Sequence, residues 1–139
     1  MKQKIMSVGA ALLLLLLFAG CTAKGNPLPE GMDEDKILQS GREIVQLIAA
    51  SDYEGIHERL RDDQQEVVSV EDIQTVLLRE LNGAGVYKEI RDSMVTGQAA
   101  EGEDLGVGVF YCTYSEDKVL IRTAFDTEMN FVGLSVQKQ

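Results

Sequence analysis

The stretch GVGVFYCTYSEDKVLIRTAFDTEMNFVGLSVQ, residues 106–137, decides the fold. Val107, Val109, Tyr111 and Thr113 alternate with Gly106, Gly108, Phe110, Cys112 and Tyr114, a period of two that belongs to a strand whose successive side chains face opposite ways. Ser115-Glu116-Asp117 turns the chain into a second run over residues 118–125, and Asp126-Thr127-Glu128 turns it into a third over residues 130–137. Two successive hairpins make an antiparallel meander. Just upstream, residues 87–96 read as a polar strand suited to an edge, so the expected sheet has about four strands. Gly106 and Gly108 lie on one side of one strand, which predicts strong curvature there.

Working back toward the N-terminus, the period lengthens to that of a helix. Ile37, Gly41, Ile44, Val45 and Ile48 recur at helical spacing and predict an amphipathic helix over residues 35–50. Ser51-Asp52 breaks it and supplies a cap for a short helix over residues 53–60, with Tyr53, Ile56 and Leu60 on one face. A third helix starts after Ser69, where Asp72 three residues on resembles a capping box. Its buried stripe is Ile73, Val76, Leu77 and Leu81, and Gly83 and Gly85 end it. Helices gathered first and strands last predict an α+β domain, with three helices packed on one face of an antiparallel sheet.

The first part of the chain carries an address. Residues 5–20 have no charge, and sixteen helical residues reach only about 24 Å, short of a hydrocarbon core of about 30 Å. Lys2 and Lys4 precede the apolar run and small residues follow it, which is the order of an export signal. Phe18-Ala19-Gly20-Cys21 resembles the lipobox of bacterial lipoproteins. That resemblance implies cleavage between Gly20 and Cys21 and a diacylglycerol on the Cys21 thiol. The expected organisation is a signal over residues 1–20 that is removed, a flexible tether over residues 21–34, and the domain over residues 35–139. The protein would then be lipid-anchored to a cell membrane or outer membrane, facing outside the cytoplasm. Residues 1–20 hold two lysines and no acids, so their removal takes the formal charge from −10 to −12. That charge disfavours nucleic acid and leaves the lipid as the anchor. With Cys21 acylated, Cys112 has no partner for an internal disulfide.

Three segments carry a wider resemblance: EIVQLIAASDYEGIHERL (residues 43–60), VEDIQTVLLRELNGAGVYKEI (residues 70–90) and VLIRTAFDTEMNFVGLSV (residues 119–136). Over residues 36–137 they resemble a domain of unknown function common in bacterial lipoproteins, within the nuclear transport factor 2-like (cystatin-like) superfamily. Met129 stands where many relatives carry Gly. The resemblance implies a cone-shaped domain, a curved sheet wrapped against three helices, often enclosing a pocket, and a homodimer formed through the sheet face.

Chemistry is sparse. Enzymes of that superfamily set an Asp or Tyr inside the cone, where an apolar surround tunes its pKa. Tyr53, Tyr87, Tyr111, Tyr114 and Asp126 are the residues available, and none matches such an enzyme motif. Tyr53, Tyr111 and Phe125 are the candidate pocket residues, with the tyrosines expected to fill space and Asp126 expected to serve its turn. His57, the sole histidine, is expected at the surface. No ligand set for a metal and no phosphate-binding loop can be assembled, so no cofactor is expected. Cys112 reads as an inert thiol. The favoured function is a non-catalytic module that holds a small apolar ligand, a peptide or a second copy of the chain. The alternative is a small pocket enzyme of the isomerase or cyclase type, for which an ionisable group must face an enclosed apolar cavity.

Overall fold

The computed structural model describes residues 25–139. The removed signal and Cys21 of the sequence reading lie outside these residues. Four helices precede four strands: α1 (Glu34–Ala49), α2 (Tyr53–Arg59), α3 (Asp62–Val67) and α4 (Val70–Glu80), then β1 (Tyr87–Ala100), β2 (Glu103–Tyr114), β3 (Lys118–Asp126) and β4 (Phe131–Lys138). The strands form one open antiparallel sheet in the order β1-β2-β3-β4. The domain is therefore α+β, as the change of period predicts.

Local chemistry fixes the helix starts. Asp33 Oδ1 accepts the Asp35 and Lys36 N–H groups at 2.8 and 3.3 Å, satisfying donors that the first turn of α1 leaves unpaired. Asp52 caps α2 through the Gly55 N–H at 2.9 Å. At α4 the Ser69 hydroxyl takes the Asp72 N–H and the Asp72 carboxylate takes the Ser69 N–H, both at 3.0 Å, so the expected capping box is reciprocal.

Two elements differ from the sequence reading. The count of three helices becomes four, because α3 (Asp-Asp-Gln-Gln-Glu-Val) has no buried residue and hence no apolar period to reveal it. The first strand runs beyond residue 96 to Ala100 and turns directly into β2 through Glu101 and Gly102, with φ of 55° and 80°. Positive φ at both central positions is the backbone of a tight hairpin turn whose twist matches its strands. Around this turn Ala100 pairs with Glu103 and Gly97 with Gly106.

The main core lies between the helices and one face of the sheet. Ile37, Ile44, Val45 and Ile48 of α1, Ile56 of α2 and Leu77 of α4 meet Phe110, Cys112, Val119, Ile121 and Phe125. Two glycines set how closely α1 approaches. A Cβ at Gly41 would stand 2.5 Å from the Phe110 ring, and one at Gly106 would stand 2.7 Å from Ile37 Cδ1. Gly106 thus leaves room for the helix to seat. The described part of the expected tether is also seated: Asn26 N–H donates to Thr96 Oγ1 at 2.7 Å, Gly97 N–H donates to the Asn26 carbonyl at 3.0 Å, and Leu28 and Met32 pack on the core. Gly97 permits this, since a Cβ there would strike the Pro27 carbonyl.

Candidate functional site

A groove opens where the helices meet the outer strand of the sheet. Leu60 pairs with Phe131 in a parallel bridge, and Arg61 N–H donates to the Phe131 carbonyl at 2.8 Å. This link ties the end of α2 to the start of β4, with α4 alongside. The resulting cavity of about 300 Å³ is lined by Ile56, Leu60, Val67, Val68, Ile73, Val76, Leu77, Phe131, Val132 and Leu134, with Gln64, Asp72, Thr75 and Arg79 as its polar members. The two charged members are engaged elsewhere. Asp72 holds the Ser69 cap, and Arg79 Nε donates to Glu80 at 3.1 Å. The cavity therefore offers apolar contact and little that could transfer a proton.

Charge is concentrated at the opposite end of the Leu60–Arg61 link. The Arg61 guanidinium donates to Asp63 at 2.7 and 3.0 Å, to Glu103 at 2.8 and 2.9 Å, and to Asp126 at 2.9 Å. One cation thus joins α3, the β1–β2 hairpin and the β3–β4 turn. Asp126 also accepts the Glu128 and Asn130 N–H groups at 2.9 Å and the Asn130 side-chain amide at 3.0 Å. Burial works against its charged form, but the bonds from Asn130, Arg61 and Glu128 outweigh that, and its pKa falls below the ordinary carboxylate value. The hydrogen bonds of Arg61 likewise lower the pKa of Asp63. Bonds to Glu103, then Asp63, raise the pKa of Arg61 itself. A guanidinium so committed is a staple between elements, and the sequence reading assigned it no role.

The three candidate pocket residues are not brought together. Tyr53 packs, half-buried, against the helix-side core, to which buried Phe125 belongs. Tyr111 points to the other face of the sheet, beside Met94, because it alternates with Phe110 and Cys112. None of the three lines the groove. The lining instead comes from β4 and from the α4 stripe, whose Val76 the sequence places in the core.

The remaining titratable groups are shaped by burial. Cys112 is fully buried, and burial pushes its thiol up to about 11. Burial pushes Tyr114 up to about 12, and its ring meets Tyr87 edge-on with centroids 5.6 Å apart. The Tyr114 hydroxyl has no hydrogen-bond partner among the described residues. His57 is half-buried rather than on the open surface, with Nε2 3.2 Å from the Gln65 carbonyl oxygen, a contact that ties α2 to α3.

No curated protein matches the chain. Among solved structures, the NMR structure of a protein from Ruminococcus gnavus ATCC 29149 is similar over 78% of this chain and 95% of its own, with 27% identity and a TM-score of 0.66. That overlap is consistent with the α+β arrangement described above. The family described as protein of unknown function (DUF3887) matches residues 41–134, from the glycine at which α1 seats on the sheet to the last groove residue of β4. The chain belongs to this family of proteins of unknown function, DUF3887.

Proposed function

We propose that this chain is a lipid-anchored extracytoplasmic protein whose domain binds a small apolar ligand without catalysis. The observation that carries the binding half is the composition of the groove: a cavity of about 300 Å³, at the lower end of the range for small-molecule sites, with ten apolar side chains against four polar ones. Its two charged residues serve a helix cap and an ion pair, which favours holding a ligand over converting one. The anchoring half rests on the sequence: Lys2 and Lys4, the uncharged residues 5–20, and Phe18-Ala19-Gly20-Cys21. The fold reading narrows in the same way. Helices on one face of a four-stranded antiparallel meander support placement in the nuclear transport factor 2-like superfamily.

The groove is tested with Val76→Glu, which puts a carboxylate on a half-buried position of the lining. Binding of the neutral apolar dye N-phenyl-1-naphthylamine is expected to weaken at least tenfold, about 1.4 kcal/mol, while the melting temperature moves by only a few degrees. Unchanged dye affinity in a folded variant removes the groove from the proposal.

A further inference from the structure

Strand β4 ends the sheet, so β3 is its neighbour on one side and no described strand lies on the other. The hydrogen bonds at the two ends of the β3–β4 pair fix which backbone groups face that open side. Asp126 N–H donates to the Asn130 carbonyl at 2.9 Å and Gln139 N–H to the Lys118 carbonyl at 2.8 Å, so the even-numbered residues of β3 bond toward β4. Their partners Gly133, Ser135 and Gln137 turn inward, whereas Leu134 and Val136 direct N–H and C=O away from β3. Phe131, opposite Phe125, obeys the same alternation: its carbonyl points outward and takes the Arg61 N–H at 2.8 Å. Beyond Phe131, no backbone bond from a described residue reaches this edge.

The Leu60–Phe131 bridge is in effect a parallel strand of one residue, which the chain lays on the edge and abandons where Arg61 caps α3. The groove begins there. Its lining takes Phe131, Val132, Gly133 and Leu134 in succession, although Phe131 and Leu134 belong to the helix-side core and Val132 to the other face. The groove therefore follows the edge of the strand and not one face alone. Open donors and acceptors beside apolar lining suit an added strand, which is held by main-chain bonds while pockets take its alternate side chains.

The wall opposite the strand is acidic. Residues 62–78, which form α3 and most of α4, include Asp62, Asp63, Glu66, Glu71 and Asp72 and no lysine or arginine. A second copy would bring the same acids to the edge, and a formal charge of −10 on each chain opposes that pairing. A segment with a basic residue is attracted instead.

We propose that the outer edge of β4 takes an extended segment of another protein as an added strand, its apolar side chains entering the groove and a basic residue facing the acidic wall. The Leu134 N–H and C=O are the first groups open to it. The inference rests on the reading of the groove as a site for apolar ligands, and names the class of ligand.

The test is fluorescence anisotropy of labelled Lys-Thr-Val-Thr-Leu-Thr-Val amide with the full chain; when extended, the peptide puts its threonines on one side and its apolar residues on the other. Two further peptides carry backbone N-methyl groups, one on every threonine and one on the valines and leucine. The parent is expected to bind saturably. One methylated peptide is expected to lose at least tenfold in affinity and the other to keep it, because a strand bonds its neighbour through alternate residues. Glutamate in place of the lysine is expected to weaken binding severalfold at low salt. In the protein, Leu134→Pro deletes an outward N–H at an edge, where proline is tolerated, and is expected to weaken binding about tenfold. Should that variant not fold, the methylated pair decides alone. Equal loss from both methylations, loss from neither, or unchanged affinity in folded Leu134→Pro overturns the proposal. A parent peptide that does not bind while N-phenyl-1-naphthylamine does also overturns it, and leaves the groove reading standing. A dimer in sedimentation that excess peptide fails to dissociate overturns it as well, and assigns the edge to a second copy.

Discussion

Half-buried Arg61 and buried Asp126 show how much one ion pair can organise. The guanidinium reaches three carboxylates on three elements, and the most buried of them, Asp126, also accepts three bonds from its own turn. Replacing it with Asn removes the charge and presents an amide where four donors converge. Asp126→Asn is therefore expected to cost roughly 1.5–3 kcal/mol at pH 7, measured by denaturant unfolding. The pH dependence has a definite sign. The folded-state pKa lies below the ordinary 3.8, so the contribution is complete only above about pH 5, clear of the unfolded value, and is lost as pH falls toward and through the lower folded one. The stability gap between wild type and variant should narrow between pH 5 and pH 2.5, and a constant gap would show that charge is not what Asp126 contributes. Met129 is a second residue with a local test. Its φ of 68° is the left-handed region, which explains why Gly suits that position in the turn. Met129→Gly is expected to raise stability by about 0.5 kcal/mol or leave it unchanged, because relief of strain offsets the added freedom of the unfolded chain. A loss above 1 kcal/mol in thermal unfolding would mean that contacts of the Met129 side chain matter more than its backbone.

At the scale of elements, legibility followed burial. Strands β2, β3 and β4 and helices α1, α2 and α4 each present a periodic apolar set to the main core, and each was readable from that period. Helix α3 has no buried residue and is held by Arg61 and His57 through polar contacts, which leave no apolar period behind. The β1–β2 turn was missed for a related reason. Glu101 adopts φ of 55°, a conformation chosen by pairing on both sides rather than by its own preference. The cap of α4 was legible because it is local, and its worth can be measured. Ser69→Ala leaves the Asp72 N–H without its acceptor and is expected to cost about 1 kcal/mol in denaturant unfolding. An effect below 0.3 kcal/mol would mean that the Asp72 half of the box suffices. The groove was the least legible part of the site, since Val76 carries the signature of core and becomes lining only where the fold sets α4 beside Phe131, Val132 and Leu134 of β4.

At the scale of the whole molecule, the seating of residues 25–33 changes how the domain would be held at a membrane. A free tether of fourteen residues would have a root-mean-square span of about 20 Å and let the domain turn in any direction. With Asn26 bonded to Thr96 and Gly97, and Leu28 and Met32 in the core, the chain is fixed from Gly25 onward. Only residues 22–24 separate Cys21 from that fixed point, a reach of about 14 Å at full extension. An acyl anchor on Cys21 would then bring the β1 edge near the bilayer surface and restrict the domain's orientation. The formal charge of −12 that the proposed cut would leave would oppose contact with anionic lipid, so such an anchor would carry the attachment alone. The proposed anchoring and the seating are tested separately. Cys21→Ser is expected to abolish incorporation of labelled fatty acid and to leave the chain uncut or released, whereas normal labelling of that variant would end the lipoprotein reading. Asn26→Ala removes the side-chain bond to the Gly97 carbonyl and tests the seating apart from the lipid. Labelling at Cys21 should be unchanged, while proteolysis between residues 22 and 30 should quicken severalfold as the segment opens more often. Equal proteolysis of wild type and variant would mean that the Thr96 and Gly97 backbone contacts and the packing of Leu28 and Met32 hold the segment without it.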